Sequence, residues 1–216
     1  GGKGLFLESL NNGGWDRPEY IRSGEQMLEL VELEPFQKGW LAATWPDQAG
    51  FFGDGKCAMA FMGNWMYGAQ ASNSASGEGL GDSNMGMFNM PMTNGGLGDS
   101  GDTLGGINGW LFSSSASDAA VELMMHYISL DIQKEDASNG AYIPIVKGAD
   151  GSLTNPFLQQ VAKNISSSEY HQIFYDQFLG ADIGRVVNDV STDLAAGIIS
   201  AEEATQAVQE AWEFNQ

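Results

Sequence analysis

A chain of 216 residues with 43% hydrophobic content is long enough to bury a sizeable core, which excludes disorder as a reading of the whole chain. Its 28 acidic residues outweigh 9 basic ones, and a net charge of −19 repels nucleic acid and anionic membrane surfaces alike. The single cysteine, Cys57, leaves no disulfide within the chain, and no run of about 18 apolar residues is present to span a membrane.

In chain order, the opening Gly1-Gly2-Lys3-Gly4 carries no initiator Met, no basic-plus-apolar signal and no nearby lipid-attachment cysteine, so processing or truncation is expected to have removed the true beginning. From Pro18 to Leu30, Ile21, Met27, Leu28 and Leu30 among charges predict one or two short helices. Phe51-Phe52-Gly53-Asp54-Gly55-Lys56 is a turn signal, and the apolar run Cys57 to Met62 then predicts a buried strand with Cys57 as a small buried hydrophobe. Gly63-Asn64-Trp65 follows directly. Gln70 to Asn84 is rich in Gly and Ser and reads as a surface loop, and Met85 to Met92 as a second strand that Pro91 ends.

Leu104 to Phe112 resumes a strand-like pattern. Ser115-Ala116-Ser117-Asp118 then caps a helix with Val121, Met124, Met125 and Ile128 at i, i+3, i+4 and i+7. Pro156 to Val190 is expected to be mostly helical, with breaks at Ser166 to Ser168 and at Gly180. A second cap, Ser200-Ala201-Glu202-Glu203, precedes Ala204, Ala207, Val208 and Ala211, predicting a final amphipathic helix.

Several patterns that could carry chemistry do not survive their context. Gly96-Leu97-Gly98-Asp99-Ser100-Gly101 has the glycine spacing of a dinucleotide loop, but no helix opens after it, so it reads as a connection rather than a phosphate cradle. His126 and His171 stand alone, without partners at metal-ligand spacing. No G-x-S-x-G elbow is present, and Glu202 and Glu203 are explained by capping and the helix dipole. What remains are aromatic residues near strand ends and loops, among them Trp15, Trp65, Trp110, Tyr142 and Tyr175. Their flat faces suit the C–H face of a pyranose while neighbouring polar groups bind its hydroxyls. Trp65, after a strand end, is the leading candidate, followed by Trp110.

The order of segments resembles a known family. Phe52-x-x-Gly55-Lys56-Cys57-Ala58-Met59-x-x-Met62-Gly63-Asn64-Trp65 is similar to the "F-x-x-G-K-A-A-M…G-x-W" signature of family 1 extracellular sugar-binding proteins, the group that includes maltose-binding protein. Met87 to Pro91, Leu104-Gly105-Gly106 through Ser113, Ser117 to Glu122, Gly140 to Pro144 and Gly197 to Ala204 resemble its later segments in the right order. The Tyr175-Asp176-Gln177 and Gly184 to Asp189 wording looks closest to actinobacterial binders of raffinose, xylobiose and similar oligosaccharides.

The resemblance implies an α/β fold, the type II periplasmic binding protein-like architecture, of which this chain would be mainly the carboxy-terminal lobe. Residues 1–103 would be its first part, 104–150 a segment returning to the amino-terminal lobe, and 151–216 the closing helices and hinge. It implies a non-enzymatic receptor without a cofactor, outside the cytoplasmic membrane as a cell-surface lipoprotein or periplasmic protein, touching membrane only through a lipid anchor or the permease. The receptor would carry an oligosaccharide to the permease subunits of an ABC transporter. Trp65 would stack on a sugar ring beside Asn64, the stretch from Gly106 through Asn108 to Trp110 would approach from the opposite wall, and Asp182 or Arg185 would bond hydroxyls where maltose binders present a tryptophan. The competing readings are a carbohydrate-active hydrolase, and the same fold holding a polyamine, metal complex or phosphodiester. With half of such a protein missing, Ile107, Leu111, Val121, Met124 and Ile128 are expected to lack part of their cover.

Overall fold

The computed structural model describes residues 1–106 and 108–216, so Ile107 lies outside the described residues. The described residues are mostly helical: α1 (Gly2–Asn12), α2 (Pro18–Val31), α3 (Trp45–Gly53), α4 (Met66–Ser72), α5 (Asp118–Tyr127), α6 (Leu130–Ser138), α7 (Pro156–Ser167), α8 (Tyr175–Phe178), α9 (Ala181–Ala195) and α10 (Ala201–Phe214). Strands β1 (Thr103–Gly105) and β2 (His171–Ile173) form one parallel pair, with Thr103 opposite His171 and Gly105 opposite Ile173. None of these helices is long and apolar enough to cross a membrane.

The chain folds as two compact units, each assembled from separated stretches: residues 1–42, 90–106 and 169–216 in the first, 43–89 and 107–168 in the second. These units are drawn by contacts within this chain, whereas the lobes expected from the resemblance belong to a longer protein.

The first unit is held by α2, α9 and α10. Leu194, Ala201 and Ala204 are buried, with Ile21, Met27, Leu28 and Val190 packed on them. The Ser200 hydroxyl accepts from Glu203 N at 3.1 Å while the Glu203 carboxylate accepts from Ser200 N at 2.8 Å, which is the reciprocal cap that the sequence predicts. Gly180, at φ 84°, breaks the chain ahead of α9 as expected. Gly184 allows α9 to meet α8, since a Cβ there would lie 2.2 Å from the Asp176 carbonyl oxygen.

In the second unit, small residues let α3 lie on α4: Cβ atoms on Gly50 and Gly53 would fall 2.6 Å from Asn73 O and 2.0 Å from Gln70 O. Thr44 caps α3 through a reciprocal pair with Asp47. Ala137, Leu153 and Leu158 form the other core, with Ile143 and Ala162 against it. The Ser117 side chain caps α5 through Ala120 N, as its sequence predicts.

Three strand expectations are corrected. Residues 57–62, 85–92 and 108–112 are in no strand, because a strand needs a neighbour to pair with and these segments find none among the described residues. Met59 and Phe61, expected inside, are 73% and 79% exposed, and Cys57 is only partly buried. Conversely, β2 lies in the stretch expected to be helical; α7 ends at Ser167 as predicted, and pairing with β1 then holds 171–173 extended.

The two glycine environments on helices give a paired test. Gly184→Ala should lower stability by about 1–3 kcal/mol through overpacking. Gly4→Ala, in α1 with nothing within 4 Å of the added methyl, should raise it by about 0.5–1 kcal/mol through reduced backbone entropy. Thermal unfolding of the two variants should therefore move in opposite directions; equal effects would refute the close α8–α9 approach.

Candidate functional site

In the second unit, the turn Gly63-Asn64 delivers Trp65 to the start of α4, with Met66 N and Tyr67 N donating to Gly63 O and Asn64 O at 3.0 and 3.2 Å. The Trp65 ring lies over Gly63, where a Cβ would come within 2.4 Å of it. Buried Met66 and Gln70 anchor the helix: the Gln70 amide donates to Leu80 O and its oxygen accepts from Leu80 N. Trp65 itself is 45% exposed, so it is a surface ring on a fixed base rather than a core residue.

Trp110 is 66% exposed and meets Tyr127 edge-on at 6.1 Å, and Tyr127 lies 6.4 Å from Tyr142. Tyr142 fixes the inner end of this row by donating to Asp136 and accepting from the buried Gln133, whose own oxygen accepts from Ile145 N. Burial first, and the Asp136 carboxylate second, push the Tyr142 phenol up from its ordinary value. Asn108 lies exposed in irregular chain beside Trp110 in sequence. Tyr127 joins the row without having been singled out in the sequence, where its helical position gave no sign of a site.

Gly106, Asp182 and Arg185 fall in the first unit. Gly106 follows β1 against the side chains of Phe174 and Gln177. Asp182 is exposed in the first turn of α9, and Arg185 is exposed and paired with Asp189 one turn on at 2.9 Å.

The same unit holds a hollow of about 220 Å³ that sequence reasoning did not assemble. Lys3 and Phe6 reach it from one face of α1, Asp102 from the approach to β1, Tyr170 from the residue before β2, Gln172 from β2 itself, and Tyr175 from the start of α8. Lys3 Nζ sits 5.0 Å over the Tyr170 ring, a cation–π contact. Tyr170 donates its hydroxyl to Gln172 Oε1. Phe6 stacks at 4.7 Å on Tyr175, and buried Trp15 backs both rings. Aromatic faces with a lysine, a carboxylate and an amide around a space for about one ring can hold the apolar face of a polar cyclic molecule and bond its edge. Among the described residues no group of three or more His, Cys, Asp or Glu gathers to hold a metal.

A larger groove of about 360 Å³ in this unit is lined by Asp16, Glu202, Glu210 and Glu213 with no aromatic ring, so it offers a sugar face nothing to lie on. The glycines of 96–101 lead into β1 and not into a helix, as the sequence predicts, so no helix N-terminus meets a phosphate there.

No family model and no curated protein matches this chain. Solved structures do, and two of them are these. One comes from a study giving biochemical and structural insights into xylan utilization by the thermophilic bacterium Caldanaerobius polysaccharolyticus, at a TM-score of 0.77 and 20% identity over 95% of this chain. The other is a chitin oligosaccharide binding protein, at a TM-score of 0.73 and 20% identity over 96% of this chain. The fold is shared with both. This chain spans about half the length of each, 53% of the first and 52% of the second.

Burial, then the neighbouring Tyr20 and Tyr170, raise the Tyr175 phenol well above its usual value of 10.0. The folded state thus holds this proton more tightly than the unfolded chain does, so the stabilisation is complete below pH 10 and is lost as pH rises above it. Stability should fall through the alkaline range beyond pH 10, and less steeply in Tyr175→Phe. Denaturation profiles of the two proteins at pH 9 to 12 that run parallel would contradict this burial.

Proposed function

We propose that this chain forms part of a non-enzymatic receptor that binds an oligosaccharide and, as the family resemblance implies, serves an ABC transporter outside the cytoplasmic membrane. The observation that carries the reading is the shared fold with a protein described as binding chitin oligosaccharide, over 96% of this chain, in a molecule that presents ordered aromatic rings to solvent. Trp65 and Trp110 on the second unit, and the ring-lined hollow of the first, offer stacking faces with amides and charged groups beside them. In the two-lobe architecture of the resemblance, lobes close on the sugar about a hinge, and the closed form docks on permease subunits.

A hydrolase reading gains little support from the hollow. Glycoside cleavage ordinarily needs two carboxyl groups flanking the bond, and Asp102 is the single acid lining this space. Its charge is balanced by Lys3, which suits a neutral polyol better than a polyamine.

Calorimetry of the complete protein against xylo- and chito-oligosaccharides, with a polyamine and a chromogenic glycoside alongside, tests this reading. Micromolar binding of at least one oligosaccharide without turnover is expected; turnover, or binding of the polyamine alone, would sink it. Trp65→Ala and Trp110→Ala should each weaken that binding by about 1–3 kcal/mol, or about 5- to 150-fold, with little change in melting temperature. A large fall in melting temperature at unchanged affinity would return the ring concerned to a packing role.

A further inference from the structure

Four asparagines in the chain stand directly before a glycine: Asn12, Asn94, Asn108 and Asn139. Such a pair carries its own reaction. The glycine amide nitrogen attacks the asparagine side-chain carbonyl carbon, a new N–C bond closes a five-membered succinimide ring, and the side-chain nitrogen leaves as ammonia. Water then opens the ring at either carbonyl, leaving aspartate or isoaspartate. Glycine favours the closure because no Cβ hinders its nitrogen or the rotation of the backbone. The attack needs that nitrogen released from any hydrogen bond and the chain around it free to turn, which differs among these pairs in the folded protein.

Two of the pairs are locked. Asn12 ends α1, Gly13 N donates to Ser9 O at 2.9 Å, and Gly13 is itself buried, with the Trp212 ring 2.9 Å from where its Cβ would stand. Asn139 caps α6, where Gly140 N donates to Ala137 O at 3.1 Å and Ala141 N to Asp136 O at 3.0 Å. Asn94 differs at each point. It is exposed, as are Thr93, Gly95 and Gly96. Gly95 N makes no hydrogen bond among the described residues, and nothing lies within 4 Å of a Cβ placed on Gly95. The φ of 73° at Gly95 and the bond from Gly96 N to Thr93 O at 2.9 Å make Asn94 and Gly95 the central residues of a surface turn. Asn108-Gly109 adjoins Ile107, outside the described residues, and carries no part of the inference.

We infer that Asn94 is a modification site, at which the folded protein deamidates without an enzyme ahead of Asn12 and Asn139. The change adds one negative charge to a chain already at −19. As isoaspartate it also carries the main chain through the former side chain, adding a methylene to the segment that leads to Asp102 and β1. This modification is independent of the sugar reading.

Peptide mapping by mass spectrometry after timed incubation of the folded protein at mildly alkaline pH tests it, with fragmentation separating aspartate from isoaspartate. Asn94 should convert at least about tenfold faster than Asn12 or Asn139, since those two must first open locally. In denaturant the three rates should draw together. Asn94→Gln, whose longer side chain closes a ring poorly, should remove the leading acidic variant seen on ion exchange. Conversion of Asn12 or Asn139 in the folded protein as fast as that of Asn94, or a lead for Asn94 that persists undiminished in denaturant, would overturn the inference.

Discussion

The parallel pairing of β1 with β2 is the constraint on which the first unit depends. It joins residues 68 positions apart, as the 2.8 Å contact between Thr103 Oγ1 and His171 Nδ1 marks. It is extended at both ends, with Thr103 N donating to Tyr170 O and Phe174 N to Gly105 O. The chain between them belongs largely to the other unit. Closing so long an excursion costs only slowly rising entropy, and the pairing fixes its base. It is also what brings Asp102 and Tyr170 to the rim of one hollow and sets Gly106 against Phe174. Without that register the lysine and rings of α1 and α8 would have no facing wall.

Helices α5, α7, α9 and α10 were legible because their ends are chemical, whereas α1, α3, α4 and α6 were not read, and α3 and α4 run into stretches that read as a turn and a surface loop. Ser117, Asn155 and Ser200 each satisfy orphan amides with a side-chain oxygen, Gly180 supplies a positive φ, and Pro156 opens α7 where a missing N–H costs nothing. The strands were legible only as tendency. An apolar run such as 57–62 records what a segment is suited to, but pairing needs a second segment, and no local pattern says where that lies. The three residues of β2 were hidden for the opposite reason, since they are too few to show a period of two within a helix-rich stretch.

The candidate site divides in the same way. Trp65 was singled out because it follows the run 57–62, which reads as a strand; no strand forms there, and what the structure gives is that Trp65 and Trp110 are both exposed. The hollow was not readable, because Lys3, Asp102 and Tyr170 come from three separated segments. Lys3 rests on the Tyr170 ring, a contact between separated segments that no local pattern announces.

The stitching of the first unit across the chain has a consequence for biosynthesis. Gln209 Oε1 accepts from Gly14 N and Trp15 N, 195 and 194 residues away, and Trp212 Nε1 donates to Leu10 O. A ribosome adding about 5–20 residues per second therefore leaves α1 and its aromatic residues waiting about 10–40 s for their anchor. All of the second unit, ending at Ser168, is synthesised in that interval. Phe6 and Trp15, both buried in the finished unit, are without the Tyr175 ring for most of that time.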